Sequence, residues 1–258
     1  MMNTLAIVTG GAGDIGRAIA ARLSADHDRV LLVDLDLEAA NAAAKALGPA
    51  ERFVALRCDV TDEADVAAMA ESARGLGRVR TLVNNAGAAF SVSLQSTTAE
   101  SWRRDTQLNS EAAFLCLRAV EDMLKETRGS VVNIASVNGL QVFGHPAYSA
   151  AKAALLHFTR LTAVEYGRFG IRSNAVAPGT VRTQAWNARA DANPNVFEEA
   201  KRWYALGRVV DPKDVAEAVG FLASPLAAAI TGVCLPVDCG LTAGSAELAR
   251  TFSQSDDY

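Results

Sequence analysis

The segment Thr9-Gly10-Gly11-Ala12-Gly13-Asp14-Ile15-Gly16 stands directly after the apolar run Leu5-Ala6-Ile7-Val8. Glycines this dense, between a strand-like run and the helical pattern Arg17 to Ala25, require the chain to turn sharply off a buried strand into a helix. Gly11, Gly13 and Gly16 fit a G-x-G-x-x-G spacing, which lets the main chain approach a pyrophosphate closely while a helix N-terminus faces the anion. Such a turn alone is common in α/β chains, so other residues must carry the reading. A P-loop does not fit, because Arg17-Ala18 occupy the places of its Lys and Ser/Thr.

Apolar, β-branched runs recur near Leu5, Leu31, Phe53, Thr81, Val131, Arg172 and Val233, with helix-length segments between most of them. This alternation predicts an α/β fold, a Rossmann-type doubly wound parallel sheet of about seven strands with helices on both faces. The alanine-rich stretches Ala39 to Ala46 and Ala64 to Ala73 read as helices. At 258 residues and 50% hydrophobic content, the chain is expected to form one domain over residues 1–258. Two segments break the rhythm: 184–207, read as a loop over a substrate site, and the C-terminal extension 241–258, either frayed or docked on a neighbouring subunit.

Asp34 ends the run Val30-Leu31-Leu32-Val33, about 20 residues past the glycines, where a carboxylate accepts hydrogen bonds from an adenosine ribose. With no Arg or Lys beside it in sequence or in the glycine turn, it would repel a 2′-phosphate, so NAD is expected over NADP. A helix-capping role before Leu35 to Leu47 is the alternative.

The formal net charge of −4 offers no basic stripe for nucleic acid and no polybasic membrane patch. The four cysteines (Cys58, Cys116, Cys234, Cys239) lack C-x-x-C spacing and the three histidines are scattered, so no metal site is expected. With no leader-like or membrane-length apolar run, a soluble cytoplasmic setting is expected.

Tyr148 and Lys152 lie four residues apart in a helical pattern from about Ala147 to Arg168, on one face a turn apart. A tyrosine of ordinary pKa, about 10, is a poor base at neutral pH, and a nearby ammonium favours its phenolate. Ser136 follows the run Ser130-Val131-Val132-Asn133-Ile134, and Asn84-Asn85-Ala86-Gly87 ends the preceding strand. Both fall at the carboxyl edge where open α/β sheets carry ligands. Asn109 lies in a further helical segment, Glu100 to Lys125.

With these residues in this order the chain resembles the short-chain dehydrogenase/reductase family from Thr4 to about Gly244. The resemblance rests on Thr9 to Gly16, Asp34, Asp59-Val60, Asn84 to Gly87, Asn109, Ser136, Tyr148, Lys152, Pro178-Gly179 with Thr183, and Asp238. It implies hydride transfer between a nicotinamide and a carbonyl or secondary alcohol. Tyr148 would exchange a proton with the substrate oxygen, Lys152 would lower the Tyr148 pKa and bind the nicotinamide ribose, Ser136 would hold the reacting oxygen, and Asn109 would hold a relay water. Gly10, Gly13, Asp14, Ile15 and Gly16 would form the phosphate turn, Asp59 and Val60 would flank the adenine, and Asn85, Ala86 and Gly87 would line the trough. Pro178, Gly179, Val181 and Thr183 would border the nicotinamide. The resemblance also implies a homo-oligomer, usually a tetramer, packed through the helices containing Leu115 and Leu155. The apolar positions Leu155, Phe158, Leu161 and Thr162 fit such packing or an internal core.

Three positions depart from the family pattern. Asp14 replaces the middle glycine of the turn, where it is expected to tolerate positive φ or cap the helix. Cys239 replaces a glycine after the last strand, and Glu111 stands where a small residue is usual. Asn138, Gln141, His145, Gln184, Asn187 and Arg189, beside apolar Phe90, Val142, Phe143 and Trp186, suggest a small polar substrate such as a polyol, sugar or hydroxy acid, with Arg189 as the candidate carboxylate or phosphate anchor. The alternatives are a 3-oxoacyl-thioester reductase and a non-catalytic NAD-sensing protein.

Overall fold

The computed structural model describes residues 3–184, 193–255 and 257. Seven strands form one parallel sheet: β1 (Thr4–Thr9), β2 (Arg29–Asp34), β3 (Phe53–Arg57), β4 (Arg78–Asn84), β5 (Ser130–Ile134), β6 (Arg172–Pro178) and β7 (Cys234–Val237). Their order is β3-β2-β1-β4-β5-β6-β7. The chain builds outward from β1 in one direction and then, from β4, in the other. The β1/β4 boundary is therefore the crevice where a doubly wound sheet takes its ligand.

Strand periodicity sends alternate residues to opposite faces. Leu5, Ile7, Leu31 and Val33 pack with α3 (Glu63–Leu76) and α5 (Ala112–Thr127). Ala6, Val8, Val30 and Leu32 pack with α1 (Asp14–Leu23), α2 (Leu37–Leu47) and α8 (Pro212–Ala223). Both faces are covered, which is why these strands read as unbroken apolar runs. Asp36, not Asp34, caps α2 by accepting from the Ala39 amide at 3.0 Å, so the capping alternative for Asp34 falls.

Several boundaries differ from the sequence reading. The segment Glu100 to Lys125 is not one helix: α4 (Ala99–Thr106) passes through a π-helical turn, Gln107–Glu111, into α5. The long helix α6 covers Pro146–Tyr166, with proline at its start, where a missing N–H costs nothing, and ends in a 3₁₀ turn, Gly167–Phe169. The segment 184–207 contains a short helix, α7 (Val196–Lys201). The C-terminal stretch forms α9 (Ala246–Ser253), which leaves Leu248 and Phe252 exposed.

The glycine turn is tighter than its motif states. Gly10 is left-handed at φ 62°, and a Cβ on Gly16 would lie 2.1 Å from the Gly10 carbonyl oxygen. Gly13 is an extended N-cap whose Cβ would meet only that oxygen, at 3.6 Å. Backbone geometry thus demands Gly10 and Gly16, whereas Gly13 keeps the approach from outside clear. Gly16→Ala is expected to lower the unfolding free energy by about 2 kcal/mol or more, and Gly13→Ala by under about 1 kcal/mol, in urea titrations. Equal losses would refute the distinction.

Candidate active site

The carboxyl ends of β1 and β4 are joined by one threonine and one asparagine. Thr9 Oγ1 accepts from the Asn85 and Ala86 amides, each at 3.0 Å, and the Asn85 side-chain amide donates to the Thr9 carbonyl at 2.9 Å and the Gly10 carbonyl at 3.1 Å. This places Asn85, Ala86 and Gly87 along the glycine turn as one trough. Asp34 joins the same trough: its carboxylate accepts the Ala12 amide at 3.0 Å and the Asp36 amide at 3.2 Å. Sequence reasoning missed one neighbour. Arg57 lies beside Asp34 in the β2–β3 register, with its guanidinium held 2.9 Å from Asp65.

Asp14 neither caps α1 nor adopts positive φ; Gly13 is the N-cap and Asp14 the first helical residue. Its carboxylate pairs with Arg17 and accepts the Gln184 amide at 2.6 Å. Its charge is therefore compensated inside the protein, and the glycine turn is tied to the start of the 184–207 segment. Ile15 packs on the adjoining core.

Asp59 and Val60 follow β3, with the Asp59 carboxyl held below its ordinary pKa by hydrogen bonds from the Thr61 hydroxyl and amide. Val60 is buried in the core. On the far side, a Cβ on Gly179 would stand 3.1 Å from the Tyr204 ring and 3.2 Å from Asp238, so a side chain after Pro178 would have to push these neighbours back. Tyr204, buried, accepts the Thr180 amide at 2.9 Å, a support that no sequence motif signalled. Val181 bridges to Val210 with its side chain in the core, and Thr183 is half-buried just beyond. Cys239 takes φ 50°, which explains why glycine suits that position.

Ser136, Tyr148, Lys152 and Asn109 come together at this edge. Ser136, two residues past β5, caps a 3₁₀ turn and stands close enough to Tyr148 to favour its phenolate. Lys152 is 3% exposed, donates to the Ile134 carbonyl at 2.7 Å, and sits 5.5 Å from the centre of the Tyr148 ring. The π turn carries Asn109 inward, where its side-chain amide donates to the carbonyls of Ala88 at 2.7 Å and Asp105 at 2.9 Å. Its Oδ1 is buried without a partner. A Cβ on Gly87 would lie 2.7 Å from that oxygen and 3.3 Å from Lys152 Nζ, so the two polar atoms face each other across the space that Gly87 leaves open.

Electrostatics here differ from the expectation for the pair. Burial pushes the Tyr148 phenol up, with the Ser136 hydrogen bond opposing and Asp105 adding to the rise. Burial also pushes the Lys152 amine down to about 7. A desolvated amine holding one carbonyl gives up much of its charge at neutral pH, so Lys152 alone does not lower the phenol.

Among the described residues, three of the polar side chains read as pocket lining are engaged with protein. His145 Nδ1 bonds the Ser91 carbonyl at 2.8 Å, the Asn138 amide donates to Gly144 O at 3.1 Å and Ser149 Oγ at 3.2 Å, and Gln141 reaches Thr242 O at 3.4 Å. These three side chains thus spend part of their hydrogen-bonding capacity on the walls. Trp186, Asn187 and Arg189 lie outside the described residues.

The family model described as enoyl-(acyl carrier protein) reductase matches residues 10–242. The chain is 36% identical over 247 residues to meso-2,3-butanediol dehydrogenase of Serratia marcescens, covering 95% of this chain and 97% of that protein. It is 38% identical over 252 residues to 2-(S)-hydroxypropyl-CoM dehydrogenase 3 of Xanthobacter autotrophicus, covering 94% and 98%. Among solved structures, an oxidoreductase of the short chain dehydrogenase/reductase family from Burkholderia thailandensis superposes with a TM-score of 0.93 at 44% identity, covering 100% of both chains.

In the cofactor-free protein, the Lys152 amine is expected to be charged below and neutral above a midpoint near 7, against 10.5 for an ordinary lysine. Side-chain NMR of labelled lysine, assigned with Lys152→Met, measures it; a midpoint above 10 would contradict the burial argument.

Proposed function

Because the chain belongs to the short-chain dehydrogenase/reductase family, we propose that it is an NAD-dependent dehydrogenase that interconverts a small polar secondary alcohol and its ketone. The observation that carries the reading is the meeting of Ser136, Tyr148, Lys152 and the orphaned Asn109 Oδ1 at one sheet edge, across the space left by Gly87. A nicotinamide, when bound, supplies the hydride acceptor or donor and, oxidised, a positive ring.

The residues fit that group. In its charged form Lys152 spends one of three N–H donors on Ile134 and keeps two for a ribose and a water. The open side of Gly87 gives the ribose room. In the alcohol-oxidising direction, the phenolate of Tyr148 takes the hydroxyl proton and the Ser136 hydroxyl holds the substrate oxygen. In the reverse direction the phenol returns the proton to the developing alkoxide. Lys152 passes the proton on through a water held by Asn109. Burial raises the phenol, so a positive charge nearby favours the phenolate needed for alcohol oxidation.

Asp34 supports NAD over NADP. Two amides fix its carboxylate at the ribose end of the trough, where it would repel a 2′-phosphate. The preference for a small polar substrate draws support from the diol- and hydroxypropyl-named relatives more than from the pocket wall. An assembled homo-oligomer fits the exposed Phe114 on α5 and Leu161 and Val164 on α6; Leu155 and Thr162, by contrast, are buried in the subunit.

NAD reduction over a panel of diols, polyols, sugars and hydroxy acids tests the activity, with a 3-oxoacyl-thioester and NADPH as the competing arm. Turnover of a polar alcohol is expected, with Tyr148→Phe lowering kcat by about 10²–10⁴-fold at unchanged NAD affinity. Activity confined to the thioester arm, or undiminished in Tyr148→Phe, would overturn the reading. Asp34→Asn keeps the acceptor but removes the charge next to Arg57, and is expected to shift the NADP/NAD ratio of kcat/KM upward by about tenfold. An unchanged ratio would remove Asp34 from cofactor choice.

A further inference from the structure

At the opposite, amino-terminal edge of the sheet lies a cavity of about 480 Å³ lined by Arg80, Arg128 and Arg172, together with His27, Ser130 and Ser224. A chain of net charge −4 has carboxylates to spare, yet none of the ion pairs among the described residues involves these three arginines. Asp26 also borders the cavity, but its carboxylate is taken by Arg22 at 2.6 Å.

Each arginine arrives there through a distinct backbone device. In the β1–β4 ladder Leu5 pairs with Val79 and Ala6 with Thr81, so Arg80 is the extra residue of a bulge and escapes the sheet's pairing. Arg128 caps α5 in the left-handed conformation, at φ 51°, and its aliphatic stem lies on Gly170, whose Cβ would stand 3.1–3.2 Å from it. Arg172 opens β6 and donates to the carbonyls of Leu222 at 2.6 Å, Ala223 at 3.0 Å and Ser224 at 3.1 Å, at the C-terminal end of α8. Those carbonyls orient its guanidinium without neutralising it. The polar wall behind is already satisfied: His27 bonds Leu23 O and Thr81 Oγ1, each at 3.0 Å, and Thr81 bonds Ser130 Oγ at 3.2 Å. Burial and the charge of Arg80 hold His27 below its ordinary pKa, so it adds no charge of its own near neutrality.

We propose that this cavity is a second ligand site that takes a small polyanion, of the oligophosphate or polycarboxylate kind, on Arg80, Arg128 and Arg172. Guanidinium forks match phosphate and carboxylate oxygens, and a concave site where three guanidinium groups face one carboxylate already paired with Arg22 has a positive excess that concentrates anions. The volume suits a small molecule and not a macromolecular surface. The length of β5 separates Ser130 at this cavity from Ile134 beside Lys152, four residue steps or about 13 Å at the rise of a strand, so a ligand here touches neither substrate nor cofactor.

Isothermal titration with pyrophosphate and, separately, citrate tests the site, at low ionic strength and with saturating NAD so that the dinucleotide trough is filled. The comparison variant is Arg80→Ala/Arg128→Gly: glycine relieves the left-handed position, and Arg172 is left to cap α8. Saturable binding of one anion per chain is expected, weakened about tenfold or more in the variant, with turnover unchanged and the unfolding midpoint not lowered. The tighter of the two anions distinguishes a phosphate from a carboxylate ligand. Equal affinity in parent and variant, or salt-dependent drift without saturation for both anions, would overturn the site.

Discussion

The joining of β1 to β4 through Thr9 and Asn85 is the constraint from which the candidate active site follows. Strand order reverses at that boundary, so two neighbouring strand ends must diverge into different loops while remaining in contact. One hydroxyl that accepts two amides, and one carboxamide that donates back to two carbonyls, hold them together. Were that joint looser, the glycine turn and the Asn85-Ala86-Gly87 wall would not form one trough, and Gly87 would not open toward Lys152. The near-contact of Gly10 and Gly16 sets the turn from the other side.

A buried polar chain performs the equivalent task for the catalytic helix. Asn84 donates to Asn133 at 2.8 Å, Asn133 donates to Thr159 at 2.9 Å, and Thr159 returns to the Leu155 carbonyl at 2.8 Å. Apolar packing alone would let α6 slide along the sheet; directional bonds in a low-dielectric interior fix its register. Tyr148 and Lys152 on that helix therefore meet Ser136 on β5 in one arrangement. The π turn at Gln107–Glu111 brings Asn109 to the same place from the other side.

Charge is distributed unevenly between the two edges of the sheet. At the carboxyl edge Asp14 is compensated by Arg17 and Asp34 anchored by main-chain amides, while Lys152 is desolvated and Asn109 Oδ1 and Asp105 Oδ2 are buried without partners. Such incomplete satisfaction is what a site that completes itself on binding looks like. The amino edge shows the other form of incompleteness, three guanidinium groups without counter-ions. Elsewhere arginines find partners readily, as Arg22, Arg57 and Arg208 do.

What the sequence alone determined was the sheet, the glycine turn, the carboxylate at Asp34 and the grouping of Ser136, Tyr148, Lys152 and Asn109 by resemblance. These depend on strand periodicity and on residues whose chemistry is scarce, and both are written locally. The sequence could not show that Arg57 stands beside Asp34, that Asp14 ties down Gln184, or that Asn138 and His145 are consumed by the walls, because each is a contact between segments far apart in the chain. Nor could it reveal the π turn, whose extra residue leaves the apolar pattern of α4 and α5 readable as one helix. Tertiary structure also decided the electrostatics of Tyr148 and Lys152: a four-residue spacing brings them together, but only burial sets how much charge the pair retains. The convergence of Arg80, Arg128 and Arg172 was likewise invisible, since a bulge, a left-handed cap and a strand start share no sequence pattern.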